Sequence, residues 1–147
     1  MNRQRRDRWF LGASAGVLVV AAVLGFLRLG SPVAQRRFAE DRQRVRDLMR
    51  ICGAIKEWHD RNPAAELPES LEAVQAASLS VVVIRDPVTG KGYTYTKTGG
   101  KMYRLCAEFN EASDAAQEGG ERLWRHSAGS HCYDLNASRG QWEMGFY

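Results

Sequence analysis

From Trp9 to Leu27 the sequence runs nineteen residues without a charged side chain. About twenty apolar residues, each rising ~1.5 Å in a helix, cross a hydrocarbon core of roughly 30 Å. Residues 9–27 are therefore expected to be a transmembrane anchor. Residues 1–8 form a basic flank carrying Arg3, Arg5, Arg6 and Arg8. Positive charge ahead of a first span holds that flank in the cytoplasm. The expected topology is a single pass through the inner membrane, N-terminus cytoplasmic, with the C-terminal domain periplasmic or extracellular and the lipid bilayer as first partner.

Two features pull against that assignment. Arg28, Arg36, Arg37, Arg42, Arg44 and Arg46 follow the span, and by charge count alone they favour the reverse orientation, although long C-terminal domains translocate with little regard to charge. A removable signal peptide is the alternative to a retained anchor. Arg5 and Arg6 ahead of Trp9, Phe10 and Leu11 resemble a twin-arginine signal with one residue too many. The candidate cleavage sites near Ser31 and Ala34 place Leu29 or Pro32 where a small residue is needed. Anchor or signal, the rest of the chain is carried out of the cytoplasm.

That remainder is long enough for one domain. At 147 residues, with 44% hydrophobic and 26% charged side chains, the chain is a folded one, and a multidomain enzyme is excluded. Residues 1–61 hold thirteen basic and six acidic side chains, against eight and eleven in residues 62–147. The front is basic and the back mildly acidic.

Ser31 followed by Pro32 reads as a helix N-cap with proline in the first turn. Phe38, Val45, Leu48, Met49, Ile51, Cys52, Ile55 and Trp58 then recur at three and four residues, predicting an amphipathic helix of about thirty residues that ends before Pro63. Arg36, Arg37, Arg42, Arg44, Arg46, Arg50 and Lys56, with Glu40, Asp41, Asp47 and Glu57, are expected on its solvated faces, paired as Asp47 is with Arg50. Such a face would also suit lipid headgroups or, were it cytoplasmic, nucleic acid.

Beyond Pro63 the pattern changes. Leu67, Pro68, Ser70, Leu71 and Val74 predict a short second helix, and Asp86-Pro87-Val88-Thr89-Gly90 a turn. Tyr93 to Lys97 and Lys101 to Phe109 alternate as strands around a Gly99-Gly100 hairpin turn, and His131 to Leu135 alternates again. Residues 110–121 read as a polar loop. The 137–147 tail, with Trp142, Met144 and Phe146 at two-residue spacing, reads as a last edge strand or a loose end.

Alternation places Tyr103, Leu105, Ala107 and Phe109 on one face with Tyr133 and Leu135, and Cys106 and Cys132 together on the other. A Cys106–Cys132 disulfide is therefore expected, and Cys52 is expected as an apolar filler of the helix stripe. Zinc is the competing use of Cys106, His126, His131 and Cys132. It lacks Cys-x-x-Cys spacing, and His131 and Cys132, adjacent on a strand, point to opposite faces. Trp124 and His126 are read as packing or loop residues.

Leu48 to Trp58, Leu67-Pro68 with Ser70-Leu71, Asp86-Pro87 with Thr89-Gly90, Tyr93 and Tyr95, Tyr103 to Phe109 around Cys106, and Trp124, His126, Gly129 and Cys132 together resemble the pseudopilins of type II secretion and the pilin-like family around them. The resemblance covers roughly residues 40–135. It implies an α+β fold outside the cytoplasmic membrane, a long N-terminal helix across a small antiparallel sheet, and a role in assembly without catalysis. Envelope or secretion-apparatus proteins are the partners it implies. The front of the chain departs from the family: no Gly-Phe junction stands in residues 3–10, no glutamate in 9–27, and Gly30-Ser31-Pro32 interrupts the helix. Asp114 and Glu118 are the candidates for the carboxylate loop with which the major pseudopilin holds calcium.

The sequence-level organisation is thus a cytoplasmic N-terminus (1–8), an anchor (9–27), an exported α+β domain (28–136) and a tail (137–147). No serine elbow, glycine-rich phosphate loop or paired carboxylates at a defined spacing stand in the sequence, so no catalytic residue, cofactor, metal, small-molecule substrate or nucleic acid is expected. The alternatives are an envelope enzyme using His59, His126 or His131 with an acidic partner, a metal-binding protein using His126 and His131, and a cytoplasmic basic helix on nucleic acid.

Overall fold

The computed structural model describes residues 14–25, 31–113 and 122–139. The chain divides into two compact units, Met1–Arg36 and Arg37–Tyr147. In the first, residues 14–25 are helical and Val17, Leu18, Val19, Val20, Val23 and Leu24 are all exposed. Twelve helical residues rise about 18 Å, and no helix among the described residues is long and apolar enough to cross a membrane. Residues 9–13 and 26–27 of the expected anchor lie outside the described residues, as do 114–121 of the expected loop and 140–147 of the tail.

Helix α1, Pro32–Arg61, has the expected extent. Ser31 Oγ accepts from Val33 N at 3.3 Å, and Pro32 loses nothing in a first turn whose N–H groups have no helical partner. At the other end Asn62 donates to Trp58 O through its backbone N (3.0 Å) and its Nδ2 (2.9 Å), and Pro63 disfavours helical backbone at the residue before it. Helix α2, Leu71–Ala77, starts where Ser70 Oγ caps Ala73 N at 3.2 Å, and it buries Leu71 and Val74.

Three antiparallel strands follow, β1 (Thr94–Gly99), β2 (Met102–Phe109) and β3 (Gly129–Asn136), in spatial order β1-β2-β3. Gly99 and Gly100 turn the β1–β2 hairpin with φ of 134° and 56°, conformations without steric cost only for glycine. β3 runs two residues before and one residue beyond its expected limits, β1 starts one residue late, after Tyr93, and ends two residues late, and β2 starts one residue late, after Lys101, and ends at Phe109 as expected. The alternation is as expected: Tyr103, Leu105, Ala107, Phe109, Tyr133 and Leu135 are buried, and Arg104, Glu108, Cys132 and Asp134 face out. Leu48, Ile51 and Ile55 of α1, with Val74 and Val82, complete a core in which each is at most 1% exposed. Burying one such side chain contributes about 1.5–3 kcal/mol. The architecture is α+β, with helices and a three-stranded antiparallel sheet.

One expectation about α1 is overturned. Asp41, Arg44 and Asp47, assigned by sequence to solvated faces, are 2%, 2% and 0% exposed. The Asp47–Arg50 pair exists at 3.6 Å, but only its arginine reaches water. The reason is geometric. Position 44 lies four before Leu48 and seven before Ile51, and 41 and 47 flank it at three residues, so all three sit where the buried stripe continues.

Candidate functional site

The charged groups α1 carries inward meet two loops. Arg44 Nε donates to Asp86 Oδ2 at 2.7 Å and its Nη1 to Asp41 Oδ1 at 2.6 Å. Each aspartate in turn organises backbone. Asp86 Oδ1 accepts from Val88 N (2.8 Å) and Thr89 N (3.3 Å), while Gly90, at φ 70°, returns its N–H to Asp86 O (2.8 Å). Asp41 accepts from Asn110 N at Oδ1 and from Glu111 N at Oδ2, both 2.9 Å, just past the end of β2. Arg37 adds an exposed pair to Glu111 at 3.0 Å. One guanidinium thus joins helix, turn and strand end.

The electrostatics fit that role. Burial alone would raise the Asp86 carboxyl, but the Arg44 hydrogen bond, the amides of Val88 and Thr89 and the Arg44 charge outweigh it and hold it below its ordinary value. Burial would lower the Arg44 guanidinium, and the hydrogen bonds and charges of Asp86 and Asp41 overcome it and raise it. One turn along, Asp47 accepts from Gln43 Nε2 (2.9 Å) and from Tyr93 Oη (3.1 Å). Burial, then the Asp47 charge, pushes the Tyr93 hydroxyl far up. With its buried charges paired and hydrogen-bonded to backbone, the cluster is a clamp.

The outer sheet face carries the two strand cysteines. Cys106 and Cys132 are register partners joined by a disulfide (S–S 2.08 Å). Beside them Arg104 and Asp134 pair through two hydrogen bonds, at 2.8 and 3.0 Å. Lys91 reaches Glu108 at 2.9 Å. Beside the Lys91–Glu108 pair lies a depression of about 180 Å³, lined by Asp86, Lys91, Tyr93, Cys106, Glu108 and Ser130 among others. Cys52 is buried in the core, where the Tyr103 hydroxyl donates to its sulfur at 3.2 Å.

The histidines proposed as alternatives fall at the far end of the inner face. His126 stacks on Phe109 (ring centroids 3.7 Å, 14°), and His131 meets Phe109 and Tyr133 edge-on. His131 Nδ1 accepts from Ser127 N at 3.4 Å and lies 3.4 Å from Ser127 Oγ, long for a hydrogen bond. Burial, with the His126 ring behind it, lowers its pKa. Trp124 is buried against Tyr133, whose hydroxyl donates to Trp124 O at 3.1 Å. His59 lies apart, buried near the end of α1. His126 and His131 thus come together, as aromatic packing. Bonding between Cys106 and Cys132 takes up both thiols of the conjectured zinc set, and among the described residues no group of three His, Cys, Asp or Glu is placed to hold a metal ion. Asp114 and Glu118 lie outside the described residues.

Reasoning from sequence found the disulfide and missed the clamp. The available signal was the interruption of an apolar stripe by Asp41, Arg44 and Asp47 at three-residue steps, with Asp86 opening a Pro-x-Thr-Gly turn to receive the arginine. Compared with protein-family models, curated proteins and solved structures, the chain finds no match.

Proposed function

We propose that this chain is a membrane-anchored envelope protein whose exported, pseudopilin-like domain has a structural or interaction role, with secretion-apparatus or other envelope proteins as partners. The observation that carries the reading is the Cys106–Cys132 bond across the outward face of the sheet. Disulfides persist in oxidising compartments and are rare in the cytosol, and the uncharged run ahead of α1 supplies the means of export. The exposed valines and leucines of residues 14–25 suit a lipid surrounding better than water. A clamp of satisfied charges and an aromatic-packed histidine pair, with no free nucleophile and base set together among the described residues, suit a scaffold.

Topology and thiol state test it. A reporter that works only outside the cytoplasm, fused after Tyr147, is expected to be active. Alkylation of the denatured, unreduced chain taken from cells is expected to label one cysteine, Cys52, rising to three after reduction. A reporter active only in the cytoplasm, with all three cysteines labelled at once, would overturn the reading in favour of a cytoplasmic basic helix.

A further inference from the structure

Of the four asparagines in the sequence, Asn136 alone has serine or threonine two places on, as Asn136-Ala137-Ser138, with Asp134 two places ahead. Asn-x-Ser/Thr, with x other than proline, is the acceptor motif for N-linked glycans on secreted chains. Its longer form, with an acid two residues before the asparagine, is the one bacterial oligosaccharyl transferases accept. So short a motif also arises by chance, and its structural setting is what gives it weight.

Asn136 closes β3 with Met102 as its register partner. Strand alternation puts its side chain on the outward face with Cys132 and Asp134. Its Oδ1 accepts from Ser138 N at 2.9 Å and from Ser138 Oγ at 2.7 Å. A backbone N–H can only donate, so this contact itself tells the amide's oxygen from its nitrogen. The turn therefore draws on Oδ1 alone. Asn62 and Asn110 differ, because their Nδ2 groups donate to Trp58 O (2.9 Å) and Glu40 Oε2 (3.1 Å). Among the three described asparagines, the one inside the motif is the one whose Nδ2 donates to no described residue.

We infer that Asn136 Nδ2 is an acceptor for N-linked glycosylation, with a sugar carried on a polyprenyl diphosphate as co-substrate. The inference rests on the export proposed above, since the motif is used on exported chains. In the transfer, Nδ2 bonds to C1 of the first sugar as the bond from C1 to the diphosphate oxygen breaks. The electron pair leaves with the lipid diphosphate, and one Nδ2 proton passes to a carboxylate base of the transferase. The product keeps Oδ1 as an acceptor, so the turn loses no hydrogen bond, and the sugar lies beside Met102, itself 39% exposed. Timing follows from Ala137. It is fully buried and its N–H donates to Lys101 O at 2.9 Å, whereas a transferase must take the motif as exposed chain. Transfer therefore precedes the packing of Ala137, and the folded domain accommodates the product without being a substrate.

Mass spectrometry of the reduced chain, taken from the cells that make it, tests the inference. Trypsin cuts after Arg125 and Arg139, so residues 126–139 come as one peptide. That peptide is expected to carry a glycan on Asn136. The added mass is expected to be lost in Asn136→Gln and in Ser138→Ala, and kept in Ser138→Thr, which supplies the same hydroxyl. In vitro, with an oligosaccharyl transferase and a polyprenyl diphosphate-linked oligosaccharide, the reduced, unfolded chain is expected to be modified at Asn136 and the folded chain to be left bare. An unmodified peptide from chains whose Cys106 and Cys132 are oxidised overturns the inference and leaves export standing. An unmodified peptide from chains with all three thiols free overturns both. A glycan placed on a serine, one that survives Ser138→Ala, or an unfolded chain left bare in vitro also overturns it.

Discussion

Arg44 and Arg104 each hold an aspartate through Nε, at 2.7 Å to Asp86 and 2.8 Å to Asp134. Nothing in the distances separates the two pairs. Their surroundings do: the side chains of the first are 2% and 6% exposed, those of the second 49% and 57%. Water screens the outer pair and replaces either partner when the other is removed. The inner pair has no such substitute. An ion pair's length says little about its importance; what matters is what each ion meets when its partner goes.

The sharpest break of that comparison is Arg44→Leu. It leaves Asp41 and Asp86 buried without a cation, and about 3–5 kcal/mol of stability is expected to be lost, read as a fall in the urea midpoint. On the outer face the covalent link should outweigh the ionic one. Replacing Cys106 and Cys132 together by serine frees a loop of 26 residues, and a loss of about 3–4 kcal/mol is expected, read by the same titration in unreduced protein.

Acid sharpens the contrast within the clamp. Asp86 titrates below its ordinary 3.8 in the folded chain, so as pH falls the unfolded chain takes up the proton first. The stability this group contributes is full above about pH 4 and is lost as pH falls through the folded value. The midpoint of the native chain is therefore expected to drop more steeply below about pH 4 than that of Asp86→Asn. The smallest effect is expected from Arg104→Ala, Asp134→Ala and the double variant, whose midpoints should fall within the scatter of other surface substitutions. A large coupling between the two would refute the comparison.

How far sequence carried the fold follows from the same distinction. The apolar period gave α1 its limits, because Ser31-Pro32 and Asn62-Pro63 mark its ends by local chemistry. Alternation and the Gly99-Gly100 turn gave the strands, and parity alone brought Cys106 to Cys132. Asp41, Arg44 and Asp47 were misread because a charged residue on a helix is ordinarily solvated. Their burial depends on partners 42 to 70 positions away, Asp86, Tyr93 and the amides of Asn110 and Glu111, which no local window contains. His126, read from sequence as a packing or loop residue, does pack, but the rings that it and His131 pack on, Phe109 and Tyr133, are not visible in sequence.

Asp41 reaches the end of β2 from the first third of α1, ahead of the apolar residues Leu48 to Ile55. With Arg37, which pairs with Glu111 still nearer the Pro32 end, it ties the front of α1 to the end of β2 by polar links.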